Sequence, residues 1–195
     1  DLAFAIGALN LGLRTRLVQL KTEPNVFRKE VTPEITKAIT QYKPEIYVNC
    51  FRDNREETPF RIKITKLEAE GKKAHVGHCP GITVDMLTEG ALALTAAEHD
   101  RMLKFAEKLI RKMNQAAKIK VTNPSGTDVT LSVEGRSFIT DAIFDEKTGH
   151  FTNLPTGEVF AAPVEDSFEG TYVCDTAIGG LGVIKTPLKL TVKKG

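Results

Sequence analysis

The stretch Glu45–Gly81, EIYVNCFRDNREETPFRIKITKLEAEGKKAHVGHCPG, decides how the fold is read. It opens with Glu45–Phe51, rich in β-branched and aromatic side chains, as in a buried strand. Thr58-Pro59 then starts a helix expected to end near Gly71, and Lys73–His78 forms the next strand. Strand, helix and strand in close succession imply parallel strands joined by a right-handed crossover. Working back from this unit, Thr32-Pro33-Glu34 is a helix start, with a capping residue and then proline at the first helical position. That helix runs to about Tyr42, and Thr15–Leu20 reads as a strand before it. Asp1 is placed to cap a first helix that stops at Gly12.

Working forward, Thr83 caps a helix expected over Val84 to Leu94. Thr95-Ala96-Ala97-Glu98 is a capping box that opens a long helix to about Ala116. Its apolar residues Met102, Leu103, Phe105, Ala106, Leu109, Ile110 and Met113 recur at the spacing of a one-sided helix. After Ala117 the pattern changes. Lys118–Thr122 and Asp128–Glu134 flank the turn Asn123-Pro124-Ser125-Gly126 and read as a hairpin. Short β runs follow at Ser137–Phe144, Glu158–Pro163, Thr171–Asp175 and Leu188–Lys193. Turn sequences separate them, including Lys147-Thr148-Gly149 and Gly179-Gly180-Leu181-Gly182.

The expected architecture is α/β. Residues 1–117 form a Rossmann-like domain, a mostly parallel sheet flanked by helices and lacking its first strand. Residues 118–195 form an incomplete β-rich domain. Because the chain opens directly into a helix and closes on a strand, the natural protein is expected to extend beyond Asp1 and beyond Gly195.

Composition narrows the function classes. A hydrophobic content of 41% and a charged content of 27% suit a soluble globular protein. A net charge of +2 argues against nucleic acid or an anionic membrane surface as partner. No apolar run approaches the roughly 20 residues that span a bilayer, and the first residues lack the features of a secretory leader. Cys50, Cys79 and Cys174 are too scattered for a disulfide framework, so reduced thiols in the cytoplasm are expected.

The segment Asn153–Gly170, NLPTGEVFAAPVEDSFEG, carries the most pointed chemistry. Glu158 stands between a Pro-Thr-Gly turn and the apolar run Val159–Pro163, expected as the head of a buried strand. A buried carboxylate must be neutralised or hydrogen-bonded. A metal cation would serve, as would backbone amides or an arginine. Other clusters read as structure. His75 and His78 on one strand point to opposite faces, which argues against a zinc pair. Cys50 and Cys79 end two expected strands and can be neighbours in a parallel sheet, with buried packing the simpler role. Gly179–Gly182 lacks the dinucleotide spacing and reads as a tight β connection. Glu165, Asp166 and Glu169 read as a solvated turn, and Asp145, Glu146 and Lys147 as a loop.

The run Asn153-Leu154-Pro155-Thr156-Gly157-Glu158-Val159-Phe160 resembles the segment that supplies a metal-binding glutamate in the thermophilic metallopeptidase family of aminopeptidases. The turn Asn123–Gly126 followed by Asp128 and Leu131, and the helix entry Cys79-Pro80-Gly81-Ile82-Thr83, support the resemblance. It implies removal of N-terminal residues such as leucine from peptides by a homodimer. Water would be activated by two divalent metals, zinc or cobalt. Glu158 is the one metal ligand that maps onto this chain. The catalytic residues and the remaining ligands (glutamate, histidine, tyrosine and aspartate) are expected C-terminal to Gly195, and no histidine follows His150. This stretch alone is then expected to be inactive. The competing reading is a non-catalytic module, either binding a small ligand at the strand ends near Cys50–Asn54 and His78–Gly81 or dimerising through the long helix.

Overall fold

The computed structural model describes residues 2–70, 74–143, 151–179 and 181–195. The helices are α1 (Leu2–Asn10), α2 (Pro33–Tyr42), α3 (Thr58–Glu68), α4 (Val84–Thr88) and α5 (Ala96–Met113). The strands are β1 (Ile46–Asn49), β2 (His75–His78), β3 (Lys118–Thr122), β4 (Asp128–Ser132), β5 (Ile139–Thr140), β6 (Phe151–Asn153), β7 (Val159–Phe160), β8 (Glu169–Cys174), β9 (Ala177–Ile178), β10 (Gly182–Val183) and β11 (Leu188–Val192). The fold is mixed α/β, as expected, with a parallel sheet accompanied by helices and separate antiparallel sheets. Two compact units divide the chain. The first holds Asp1–His99 and Asp141–Thr156, and the second holds Asp100–Thr140 and Gly157–Gly195. This division by compactness interleaves the units along the chain. The Asp1 cap, the region around Gly71, the Lys147–Gly149 turn and the loop Asp145–Lys147 lie outside the described residues.

In the first unit β1, β2 and β6 form a parallel sheet in the order β1-β2-β6. Strand β6 comes from far along the chain and pairs Phe151 with Val76 and Asn153 with His78. No alternating pattern marked those three residues in the sequence. Ile35 of α2 and Phe60 and Ile64 of α3 make the buried core, with Leu20, Val31, Ile39 and Phe51 packed against it. Burying a side chain such as Phe60, which is fully enclosed, stabilises the fold by about 1.5–3 kcal/mol. The Phe51 and Phe60 rings meet edge-on with centroids 5.3 Å apart. The Asn49 amide donates to Glu68 Oε2 at 2.6 Å. Tyr47, Asn49 and Phe51 alternate onto one side of β1, so that side faces α3. Ile46 and Val48 point the other way and stay 56% and 40% exposed, which corrects the reading of β1 as a buried strand.

Two further expectations change. Thr15–Leu20 forms no strand, and Leu17 and Val18 are exposed there. Strand propensity needs a neighbouring ladder to satisfy the backbone, and these residues pair with none. The helix at Val84 stops at Thr88 instead of Leu94, where Gly90 N–H turns back to Asp85 C=O at 2.8 Å.

In the second unit the sheet order is β11-β8-β4-β3, all antiparallel. The hairpin β3–β4 forms in the register Val121↔Val129. Its turn is locked by Asn123, whose Oδ1 accepts from Thr127 N–H at 2.9 Å. Gly170 sits opposite Val129 with φ of 123°, and a Cβ there would lie 2.2 Å from Asp128 O, so only glycine fits. The capping box before α5 is real: Thr95 N–H donates to Glu98 Oε2 at 2.9 Å and Glu98 N–H to Thr95 Oγ1 at 3.3 Å. Ala106 is the buried residue of α5, whereas Phe105, counted in its apolar stripe, is 62% exposed.

Candidate functional site

The segment from Asn153 to Phe160 is where the chain leaves the first unit for the second. In the first unit Asn153 ends β6, and the next residue is fastened to β2, with Leu154 N–H donating to His78 C=O at 2.8 Å. The Leu154 side chain lies over Gly77, where a Cβ would come within 2.9 Å of Leu154 Cδ1. Glycine at position 77 is therefore a packing requirement of the Asn-Leu-Pro run. The Leu154–Pro155 peptide is cis. In the second unit Gly157 has a φ of 135°, and a Cβ on it would stand 3.1 Å from the Met102 sulfur. Val159 and Phe160 form β7, paired antiparallel with β5 in the register Ile139↔Phe160.

Glu158 precedes this two-residue strand and is exposed. Phe160 is also 43% exposed. A strand this short does not bury the residue at its head, so the argument that Glu158 needs neutralising because it is buried does not hold. Its carboxylate is accessible at the surface of its unit. The histidines stand as expected. His75 pairs with Ile46 and His78 with Asn49, three residues apart on β2 and so on opposite faces. His78 is buried, flanked by the rings of Phe51 at 5.9 Å and Phe151 at 5.8 Å. Burial, helped by the charge of Arg61, holds its pKa below the usual imidazole range, and its Nδ1 has no hydrogen-bond partner. Glu165 pairs with Arg136 at 2.6 Å, and Glu169 accepts from Lys194 N–H at 2.7 Å, which makes this turn an exposed ion-paired surface. β9 and β10 pair antiparallel in the register Ile178↔Gly182, with no helix after them among the described residues, while Gly180 lies outside those residues. Among the described residues no three His, Cys, Asp or Glu side chains gather as a metal-binding group.

Cys50 and Cys79 do come together. They follow the paired ends of β1 and β2, Cys79 is fully buried and Cys50 half-buried. A groove of about 350 Å³ opens there, lined by Cys50, Phe51, Arg52, Gly81 and Ile82. This is the carboxyl end of parallel strands, where α/β sheets commonly bind ligands. Gly81 shapes it, since φ is 71° and a Cβ would lie 2.7 Å from Asp53 Cβ. Sequence reading missed a buried charge cluster beside the groove. Glu57 is shut off from solvent and takes Arg28 Nη1 at 3.1 Å and Arg52 Nη2 at 2.5 Å. Arg28 lies far from Glu57 in sequence, and no spacing pattern links them.

The comparisons with known proteins agree with the sequence resemblance. The model of the family described as thermophilic metalloprotease (M29) matches residues 94–195, just over half of the chain, including the Asn153–Phe160 segment. No curated protein matches. A solved structure of 2,5-dihydroxypyridine dioxygenase from Pseudomonas putida KT2440 is similar in fold, with a TM-score of 0.61 and 19% identity. The likeness covers 99% of this chain and 56% of that one, so the chain spans little more than half the length of that protein. At such low identity the likeness speaks to the fold alone. Further, no helix among the described residues is long and apolar enough to cross a membrane. With the family match spanning both the β-rich unit's sheet and the Glu158 segment, the chain belongs to the thermophilic metalloprotease family.

Proposed function

We propose that this chain is part of a cytoplasmic, homodimeric, metal-dependent aminopeptidase that removes N-terminal residues such as leucine from peptides. Glu158 contributes one carboxylate to a pair of divalent ions, zinc or cobalt. The observation that carries this reading is the family match over residues 94–195, which contains the run Asn153–Phe160. The chemistry such ions supply is polarisation of the scissile carbonyl and a bound water acidic enough to ionise near neutral pH.

The described residues do not by themselves fit that metal pair. A closed site needs about four ligands per zinc, and no group of three candidate ligands forms among the described residues. Glu158 is therefore offered as one ligand, and the rest of the site is sought elsewhere. The test is Glu158→Gln in the enzyme that carries this chain. Bound metal, measured by elemental analysis, and hydrolysis of a leucyl substrate should fall together. Full activity at unchanged metal content removes Glu158 from the site.

The groove at Cys50, Phe51, Arg52, Gly81 and Ile82 favours a second reading, in which the first unit binds a small ligand at the strand ends. Metal analysis separates the two readings. Dimerisation is checked by concentration-dependent sedimentation, with the exposed Phe105 of α5 as the first position to vary.

A further inference from the structure

Two cysteines outside the peptidase reading meet at the end of the parallel sheet. Cys79 N–H donates to Asn49 C=O at 2.7 Å and Gly81 N–H to Phe51 C=O at 2.8 Å. These bonds carry the ladder one step past β1 and β2. The register Ile46↔His75, Val48↔Gly77 therefore continues to Cys50 opposite Cys79, with both side chains on one face. Adjacent strands lie about 4.8 Å apart. A disulfide tolerates Cα separations of roughly 4.4–6.8 Å, so the backbone already satisfies its main constraint. The two thiols are near enough to shift each other's proton affinity in opposite directions. Their exposure is unequal: Cys50 lines the groove, and Cys79 is fully enclosed behind it.

We propose that Cys50 and Cys79 form a reactive dithiol site that takes small organic disulfides from the groove, with Cys50 as the attacking thiol and Cys79 as the resolving thiol. The Cys50 thiolate attacks one sulfur of the small disulfide. That S–S bond breaks, one thiolate leaves and takes up a proton, and a mixed disulfide remains on Cys50. The Cys79 sulfur then attacks the Cys50 sulfur, and its proton passes to the second small thiolate as that group is expelled. In total the protein dithiol loses two electrons and two protons, and the small disulfide becomes two thiols.

The division of roles follows from the environment. The neighbouring Cys79 thiol is the main cause lowering the Cys50 thiol from its usual range, against the opposing effect of burial. The same partner, with burial, pushes Cys79 up. Cys50 is thus the readier of the two to ionise and the one that the groove exposes. Arg52, the cation lining the groove, is already committed to Glu57 and to the Val26 carbonyl.

The test uses oxidised glutathione as probe, titrated against reduced glutathione, with acid quenching, alkylation and peptide mapping by mass. In the unaltered protein the Cys50 and Cys79 peptides should become linked, with the loss of two hydrogens, while Cys174 remains alkylated. Before oxidation, Cys50 should alkylate at neutral pH at least about tenfold faster than Cys174. Cys79→Ser should trap glutathione on Cys50, and Cys50→Ser should leave Cys79 reduced. The proposal is overturned if Cys50 stays alkylatable across the series, if it links to Cys174, or if glutathione persists on Cys50 in the unaltered protein. Mapping the unaltered protein needs no variant to fold. None of these readouts involves Glu158, so the peptidase reading can fail while this one stands.

Discussion

The parallel sheet of the first unit and the antiparallel sheet of the second are built by opposite means. In the second, β3 and β4 are joined by four turn residues plus Thr127 and β11 pairs with β8 from nearby, while β8 itself reaches β4 from further along the chain than β2 reaches β1. In the first, β2 meets β1 across a helix, and β6 arrives from beyond the second unit's hairpin. Distant pairing costs more loop-closure entropy before any contact forms. The first unit offsets it with buried polar anchors, namely Glu57 between two arginines and Glu68 against Asn49. The second relies on turn geometry and on a glycine that lets two strands approach. Hairpins can be held by backbone chemistry, while strands that meet from far apart lean on specific contacts, side-chain partners in the first unit and the close approach at Gly170 in the second.

That contrast can be broken most forcefully at Glu57. Glu57→Ala leaves Arg28 and Arg52 without their shared carboxylate and should cost about 3–5 kcal/mol, read by urea denaturation. Amide exchange should show the loss in β1 and β2 before β3 and β4. If the hairpin opens first, the first unit does not depend on its polar anchors. Next comes pH. Burial is the main cause raising the Glu68 carboxyl from 4.5 to about 7, opposed by the Asn49 hydrogen bond. The folded state therefore holds this proton more tightly than the unfolded state. The associated stability is complete below pH 4.5 and is lost as pH rises to about 7, by about 1.4 kcal/mol for each pH step of one across that window. Glu68→Gln should flatten that slope; an unchanged slope would assign it to other groups.

In the second unit Gly170→Ala should destabilise by about 2 kcal/mol or more. The added Cβ meets Asp128 O while the backbone stays at positive φ. A neutral result by thermal denaturation would mean that β4 and β8 can part without loss. The smallest effect is expected at Thr95→Ala, which removes one half of the capping box and should cost about 1 kcal/mol. Restoring the cap with serine should recover most of it.

These residues also mark what was legible from sequence. Asn123–Gly126, Thr95–Glu98 and Thr32-Pro33 were readable because the groups that decide them are a few residues apart. Thr15–Leu20 had the composition of a strand and lacked a partner, which composition does not reveal. Phe151–Asn153 had no pattern, because its place beside β2 is set by contacts such as Leu154 over Gly77. Glu158 was singled out by resemblance to a family motif. The local argument from burial failed because β7 is two residues long and encloses nothing at its head. The meeting of Cys50 and Cys79 was readable as a possibility. Their unequal exposure required the structure.

The interleaving of the two units has a consequence for the chain as it leaves the ribosome. Residues 100–140 emerge whole before Phe151–Asn153, the last strand of the unit that began first. Until then the edge of β2 away from β1 has no partner among the described residues. The usual order of synthesis, in which the earlier domain finishes folding before the later one starts, is therefore closed to this protein. Its first unit must wait, partly assembled, for a strand that is translated after the second has begun.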